Sequence, residues 1–113
     1  MAVFMGAFPV MAGKEDEARK FAKETMDREP EFRASQERSG VTREEWSFQQ
    51  TPMGSFMIVR FDSPDTATVF SNFGQSDDPF DVWSRERIRE ITGIDLATPP
   101  DGPLPEIVLD WTA

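Results

Sequence analysis

The chain contains no cysteine, no histidine and no tyrosine. The first absence excludes disulfides, thiolate metal sites and a cysteine nucleophile. The second removes the commonest general base and the commonest metal ligand. Any chemistry must therefore come from carboxylates, Lys, Arg, Ser, Thr, backbone groups or a bound molecule, and we expect no metal and no resident cofactor. No apolar run approaches the roughly 20 residues of a membrane span, so no membrane role is expected. The opening "MAVFMGAFPVMAGKEDE" has no basic residue ahead of its apolar run, as a secretory leader usually has, and the expected location is cytoplasmic. Positive charge is also scarce: 12 Lys and Arg stand against 21 Asp and Glu, a net charge of −9. So acidic a surface repels phosphate backbones, and nucleic acid is not an expected partner. The most basic stretch, "RERIRE" (Arg85 to Glu90), interleaves acids with its arginines and reads as a solvated helix face.

What is present describes a folded domain. Hydrophobic residues make up 38% and charged residues 29% of the 113 positions, which fits one globular domain over 1–113 with one modest core. Val3 to Val10 is apolar throughout and reads as a strand buried on both faces. Gly13 precedes Glu15, Asp16 and Glu17, acids that suit a helix N-terminus, and Ala18, Phe21, Ala22, Thr25 and Met26 follow at helical spacing. Pro30 predicts a kink or restart with Phe32 still facing the core, and Gly40 a C-terminal stop. Glu44–Gln50 and Ser55–Phe61 are two strands joined by the turn "TPMG". Ser63 and Pro64 suggest the cap and first position of a short helix ending at Gly74. Asp77 or Asp78 with Pro79 suggests the start of another, ending at Gly93. "ATPPDGPLPE", with four prolines in ten residues, must be extended and stiff. It leads to an expected last strand, Glu106 to Trp111.

The order strand, helix, strand, strand, helix pair, strand matches an α+β, ferredoxin-like arrangement. In that arrangement four antiparallel strands carry helices on one face. The strand period of two sorts the side chains into two sets. Phe4, Gly6, Phe8, Val10, Trp46, Phe48, Met57, Val59, Phe61, Ile107, Leu109 and Trp111 form a plain core. Val3, Met5, Ala7, Glu45, Ser47, Gln49, Phe56, Ile58, Arg60, Glu106, Val108 and Asp110 form a mixed face, too apolar for solvent and too polar for a core. Such a face suits a second copy of the chain, and a two-fold homodimer is the expected assembly.

The stretches "GKEDEARKFAKE", "SGVTREEWSFQQTPMGSFMIVRFD", "DPFDVWSRERIREITGIDL" and "PLPEIVLDW" resemble a family of small, uncharacterised bacterial proteins of the dimeric α/β-barrel (ferredoxin-like) superfamily. The likeness spans Phe4 to Trp111. It implies the fold and the dimer and carries no established activity. The wider superfamily includes cofactor-free monooxygenases, haem proteins and small isomerases. Its haem members commonly use a histidine ligand, absent here. Asn72, Trp46 and Trp83 match residue types discussed as helpers in the monooxygenases.

The most suggestive constellation is Arg60 with Glu45, Glu106 and Asp110. A half-desolvated arginine can clamp a carboxylate or enolate, and a shielded carboxylate can act as a base. The competing reading is a salt bridge that fixes register between strands or subunits. Gln49, Trp46 and Trp83 complete the candidate ligand-binding set. Asp77, Asp78 and Asp81 cluster at a helix start, but capping explains the first two and the spacing is not that of a calcium loop. The function expected is therefore a small homodimer that binds a small aromatic or carboxylate-bearing molecule between sheet and helices. The alternatives are a cofactor-independent oxygenase or isomerase and a structural dimerisation module without ligand.

Overall fold

The computed structural model describes residues 1–98 and 102–113. Its elements are β1 (Ala2–Val10), α1 (Glu15–Asp27), α2 (Glu29–Ser39), β2 (Arg43–Thr51), β3 (Gly54–Ser63), α3 (Thr66–Gln75) and α4 (Pro79–Thr92). The strands form an antiparallel sheet in the order β1-β3-β2. Both outer strands run antiparallel to β3, so β1 and β2 are parallel to each other with β3 inserted between them. A parallel pair needs a long crossover, and α1 with α2 supplies it.

Local signals account for most boundaries. Pro30 lies in the first turn of α2, where a missing N–H costs nothing, so the helical run restarts at Arg28 instead of continuing. Gly40 takes the left-handed conformation (φ 79°) at the end of α2. The N–H of Val41 then donates to the Gln36 carbonyl at 2.9 Å and that of Gly40 to Glu37 at 3.3 Å, the paired bonds of a Schellman ending. Asp78 caps α4 by accepting from the Phe80 N–H at 3.1 Å, with Pro79 just inside.

Three expectations at helix ends need correction. α3 is capped by Asp65, which accepts from the Ala67 N–H at 3.1 Å, and Ser63 instead closes β3, wholly buried. Gly74 lies inside α3 and does not end it. Its missing side chain is a matter of space, because a Cβ there would stand 2.5 Å from the Leu96 carbonyl oxygen. Met26 is exposed on α1, while Ala18, Phe21 and Thr25 are buried.

The register places the inward parity in rows. Phe4 faces Phe61, and Gly6, Val59 and Trp46 align, as do Phe8, Met57 and Phe48. These side chains meet the helices in two clusters. One holds Phe4, Val41, Phe61 and Val69; the other holds Val10, Ala18, Phe21 and Ile91 with Trp46, Met57 and Trp83 against it. Gly6 is small for a reason of packing, since the Phe4 ring occupies the place of its Cβ, 2.5 Å away. The outward parity aligns Met5, Arg60 and Glu45, then Ala7, Ile58 and Ser47, then Pro9, Phe56 and Gln49.

Two sheet expectations also change. β1 is an edge strand with Val3, Met5, Ala7 and Pro9 exposed, so it is buried on one face and not on both. The fourth strand expected over Glu106–Trp111 is not formed. Among the described residues the sheet has three strands, and this segment has no ladder partner. A strand exists only through pairing, and the edge of β1 that would receive it is unpaired among the described residues. The segment leaves Ile107, Val108, Leu109 and Trp111 on the surface, 59 to 86% exposed. No helix among the described residues is long and apolar enough to cross a membrane.

Candidate functional site

Between the sheet and its helices lies a cavity of about 130 Å³. Its walls are aromatic and aliphatic: Phe8 and Met57 from the strands, Phe21 and Phe32 from α1 and α2, Phe70 and Ile88 from α3 and α4. Large rings leave such a void because they pack tilted and edge-on. Phe32 meets Trp46 edge-on at 6.5 Å between ring centroids with planes 69° apart, whereas Phe21 stacks on Trp46 at 5.3 Å.

One ionisable group lines this cavity among the described residues: Glu44. It stands at the start of β2 in the same parity as Trp46 and Phe48, so the pleat turns it inward. The Trp46 indole N–H donates to Oε2 of Glu44 at 2.5 Å, and the Gln36 amide donates to Oε1 at 3.0 Å. Burial pushes the Glu44 carboxyl above the ordinary carboxylate range, against the two hydrogen bonds that favour the charged form. Of the other hydroxyls on the lining, three are already committed, while Ser39 and Ser84 have no side-chain hydrogen bond among the described residues. Thr25 and Thr92 donate to the Phe21 and Ile88 carbonyls at 2.8 and 2.7 Å, and the Ser35 hydroxyl donates to Asp81.

Of the candidate ligand-binding residues Arg60, Glu45, Gln49, Glu106, Asp110, Trp46 and Trp83, only Trp46 lines the cavity. Arg60 lies on the outward face, 3.2 Å from Asp62 on its own strand. Glu45 sits opposite Arg60 in register but is approached by Arg43 at 3.4 Å. Gln49 is exposed opposite Phe56. Glu106 and Asp110 are carried on the unpaired C-terminal segment, where Glu106 borders a surface groove with Val3, Met5 and Leu109. Trp83 packs among Phe21, Phe80 and the Arg28 guanidinium, whose carbon is 4.5 Å from a Trp83 ring centroid. Asn72 is exposed on α3 and donates to the Arg38 carbonyl at 3.3 Å.

The sequence reading took Glu45 and passed over Glu44, its neighbour. The available signal was parity: a carboxylate in step with Trp46 and Phe48 is a charge directed at the core, which is rare unless partnered or functional. Gln36, its partner, carried no such mark, since only the packing of α2 on β2 brings it there.

The aspartate cluster resolves into a structural hub. Asp81 is 2% exposed and accepts from Ser35, from Ser76 at 2.6 Å and from Arg38 at 3.0 Å. Burial alone would raise its pKa, but these hydrogen bonds and the Arg38 charge outweigh that and hold it below the ordinary range. No group of three His, Cys, Asp or Glu among the described residues is placed to hold a metal ion.

No protein-family model, curated protein or solved structure matches this chain.

Proposed function

We propose that this chain works as a homodimer that binds a small, mainly apolar aromatic molecule in the cavity between sheet and helices. The observation that carries the reading is the cavity itself, apolar on nearly every side with one hydrogen-bonding acid at its wall. An apolar protein cavity of about 150 Å³ is known to accept a single benzene ring, so this volume fits one ring. A carboxylate-bearing guest is the less favoured class, because Arg60 faces away from the cavity and Glu44 would repel a second anion.

The dimer is supported by what stays uncovered. Burying a large aliphatic or aromatic side chain contributes about 1.5–3 kcal/mol, and the 107–111 segment leaves four of them outside. On the outward sheet face, Nη1 of Arg60 is shielded from water without a hydrogen-bond partner, and Oδ1 of Asp62 has only the ion-pair contact with Nη2 of Arg60 at 3.2 Å. A second copy laid on this face, with residues 106–111 added along the open edge of β1, would give the four-stranded ferredoxin-like sheet of the dimeric α/β-barrel superfamily. It would also bring Glu106 or Asp110 toward Arg60. The cofactor-independent oxygenase or isomerase reading has one observation in its favour: a shielded carboxyl with a raised pKa inside the cavity. In that reading Glu44 takes the role of base in place of Glu45, Glu106 or Asp110.

Native mass spectrometry on gently purified protein tests both parts. The expected result is a dimer mass carrying a reproducible small-molecule adduct. A monomer at micromolar concentration refutes the dimer. A bare dimer that also fails to bind benzene in an NMR titration refutes the ligand and leaves the structural module.

A further inference from the structure

We infer that the cavity selects a neutral, hydroxyl-bearing single-ring guest, a phenol or an enol of that size, whose O–H donates to the Glu44 carboxylate. The inference rests on the reading of the cavity as a ligand site and names the chemistry of its occupant.

The argument is an inventory of donors and acceptors. An ionised carboxylate offers about four acceptor positions. Two are used at Glu44, one on each oxygen, by Trp46 and Gln36. These two donors fix the carboxylate plane and leave it acceptor capacity on the wall of an apolar space. The hydroxyls of Thr25 and Thr92 have given their protons to helix carbonyls and that of Ser35 to Asp81; Ser39 and Ser84 are the remaining hydroxyls on the wall, each able to donate to or accept from a guest. A guest that is itself a donor supplies what Glu44 lacks.

Charge narrows the class further. No lysine or arginine lines the cavity among the described residues, so an aryl carboxylate would enter beside an uncompensated acid. An arylammonium would find an opposite charge. It would still lose its hydration on entering an aromatic space, a cost that a single ion pair often fails to recover. A phenol avoids both penalties and keeps one charge-assisted hydrogen bond. The flat, ring-lined walls suit the remaining aromatic surface.

The test is an NMR titration of the full chain with benzene, phenol, benzoate and benzylamine, repeated on Glu44→Gln. The amide is nearly isosteric, keeps an oxygen to accept from Trp46, and removes the charge that strengthens a phenol's hydrogen bond. Phenol is expected to bind the wild type about tenfold more tightly than benzene, the usual worth of one such hydrogen bond. In Glu44→Gln the two should bind within about twofold of each other, with benzene affinity unchanged as the sign that the cavity is intact. Equal binding of benzene and phenol to the wild type overturns the inference and leaves the cavity reading standing. Tighter binding of benzoate or benzylamine than of phenol also overturns it. If none of the four probes binds, the cavity reading fails and this inference fails with it. If Glu44→Gln does not fold, the wild-type comparison of benzene with phenol decides alone.

Discussion

Asp81 offers the sharpest test of how this fold is held together. Its carboxylate joins α2, the end of α3 and the start of α4 by accepting from Ser35, Ser76 and Arg38, and it is almost wholly out of water. Asp81→Asn keeps the volume and removes the charge. An asparagine retains one accepting oxygen and turns an NH₂ group toward donors that need acceptors. At least one buried donor is then unsatisfied, at about 1–3 kcal/mol, and the charge-assisted bond to Arg38 is weakened. We expect a loss of about 3 kcal/mol, a large share of the 5–15 kcal/mol typical of such domains. That is a fall in melting temperature of about 12 °C for a chain of this size. Urea denaturation followed by circular dichroism at neutral pH measures it. Because the native state holds Asp81 below its ordinary range, its contribution is fully present above the unfolded pKa. It is lost as pH falls through the native value. The gap between wild type and variant should therefore close on acidification. A loss under about 1 kcal/mol at neutral pH, or a gap that widens in acid, would refute the assignment of Asp81 as a hub.

The pH behaviour of Glu44 should run the other way. Its raised native pKa favours the folded state below the unfolded pKa, and that contribution is lost as pH rises through the native value. Glu44→Gln should therefore gain on the wild type as pH rises from the unfolded pKa through the native value, read by thermal shift at a series of pH values, and a flat difference would count against burial of the acid. Gly74→Ala should cost about 1–3 kcal/mol, because the added methyl meets the backbone oxygen of Leu96, which cannot rotate away; an unchanged melting temperature would show that the 94–98 turn is not held against α3. Arg60→Glu should leave benzene and phenol binding unchanged, since Arg60 is outside the cavity, and should raise the dimer dissociation constant at least tenfold by analytical ultracentrifugation. Asp65→Ala should cost about 1 kcal/mol through the lost cap of α3, whereas Ser63→Ala should not act through capping at all.

Local chemistry written in the chain decided much of this protein. The lack of cysteine and histidine removed whole classes of catalysis before any fold was considered. Pro30, Gly40, Pro79 and Gly93 punctuated the helices where they were expected to, because φ restriction and left-handed backbone act within a few residues. The alternation in β1, β2 and β3 sorted inward from outward side chains, since the pleat has a period of two whatever surrounds it. Tertiary structure decided the rest. Parity sends Glu44 inward, but only the seating of α2 supplies Gln36 and leaves a void beside them. Asp81 read as one of three aspartates clustered at a helix start and became a buried hub through Ser35 and Arg38, more than forty positions away. Arg87 read as one of a solvated row, yet it is drawn in to pair with Glu17 and Glu24 of α1 and Glu90 of its own helix, each at 3.0 to 3.1 Å. The segment 106–111 has the composition of a strand and no strand partner among the described residues. A strand's propensity is local, but its hydrogen bonds are not, and no sequence pattern specifies which edge will receive them.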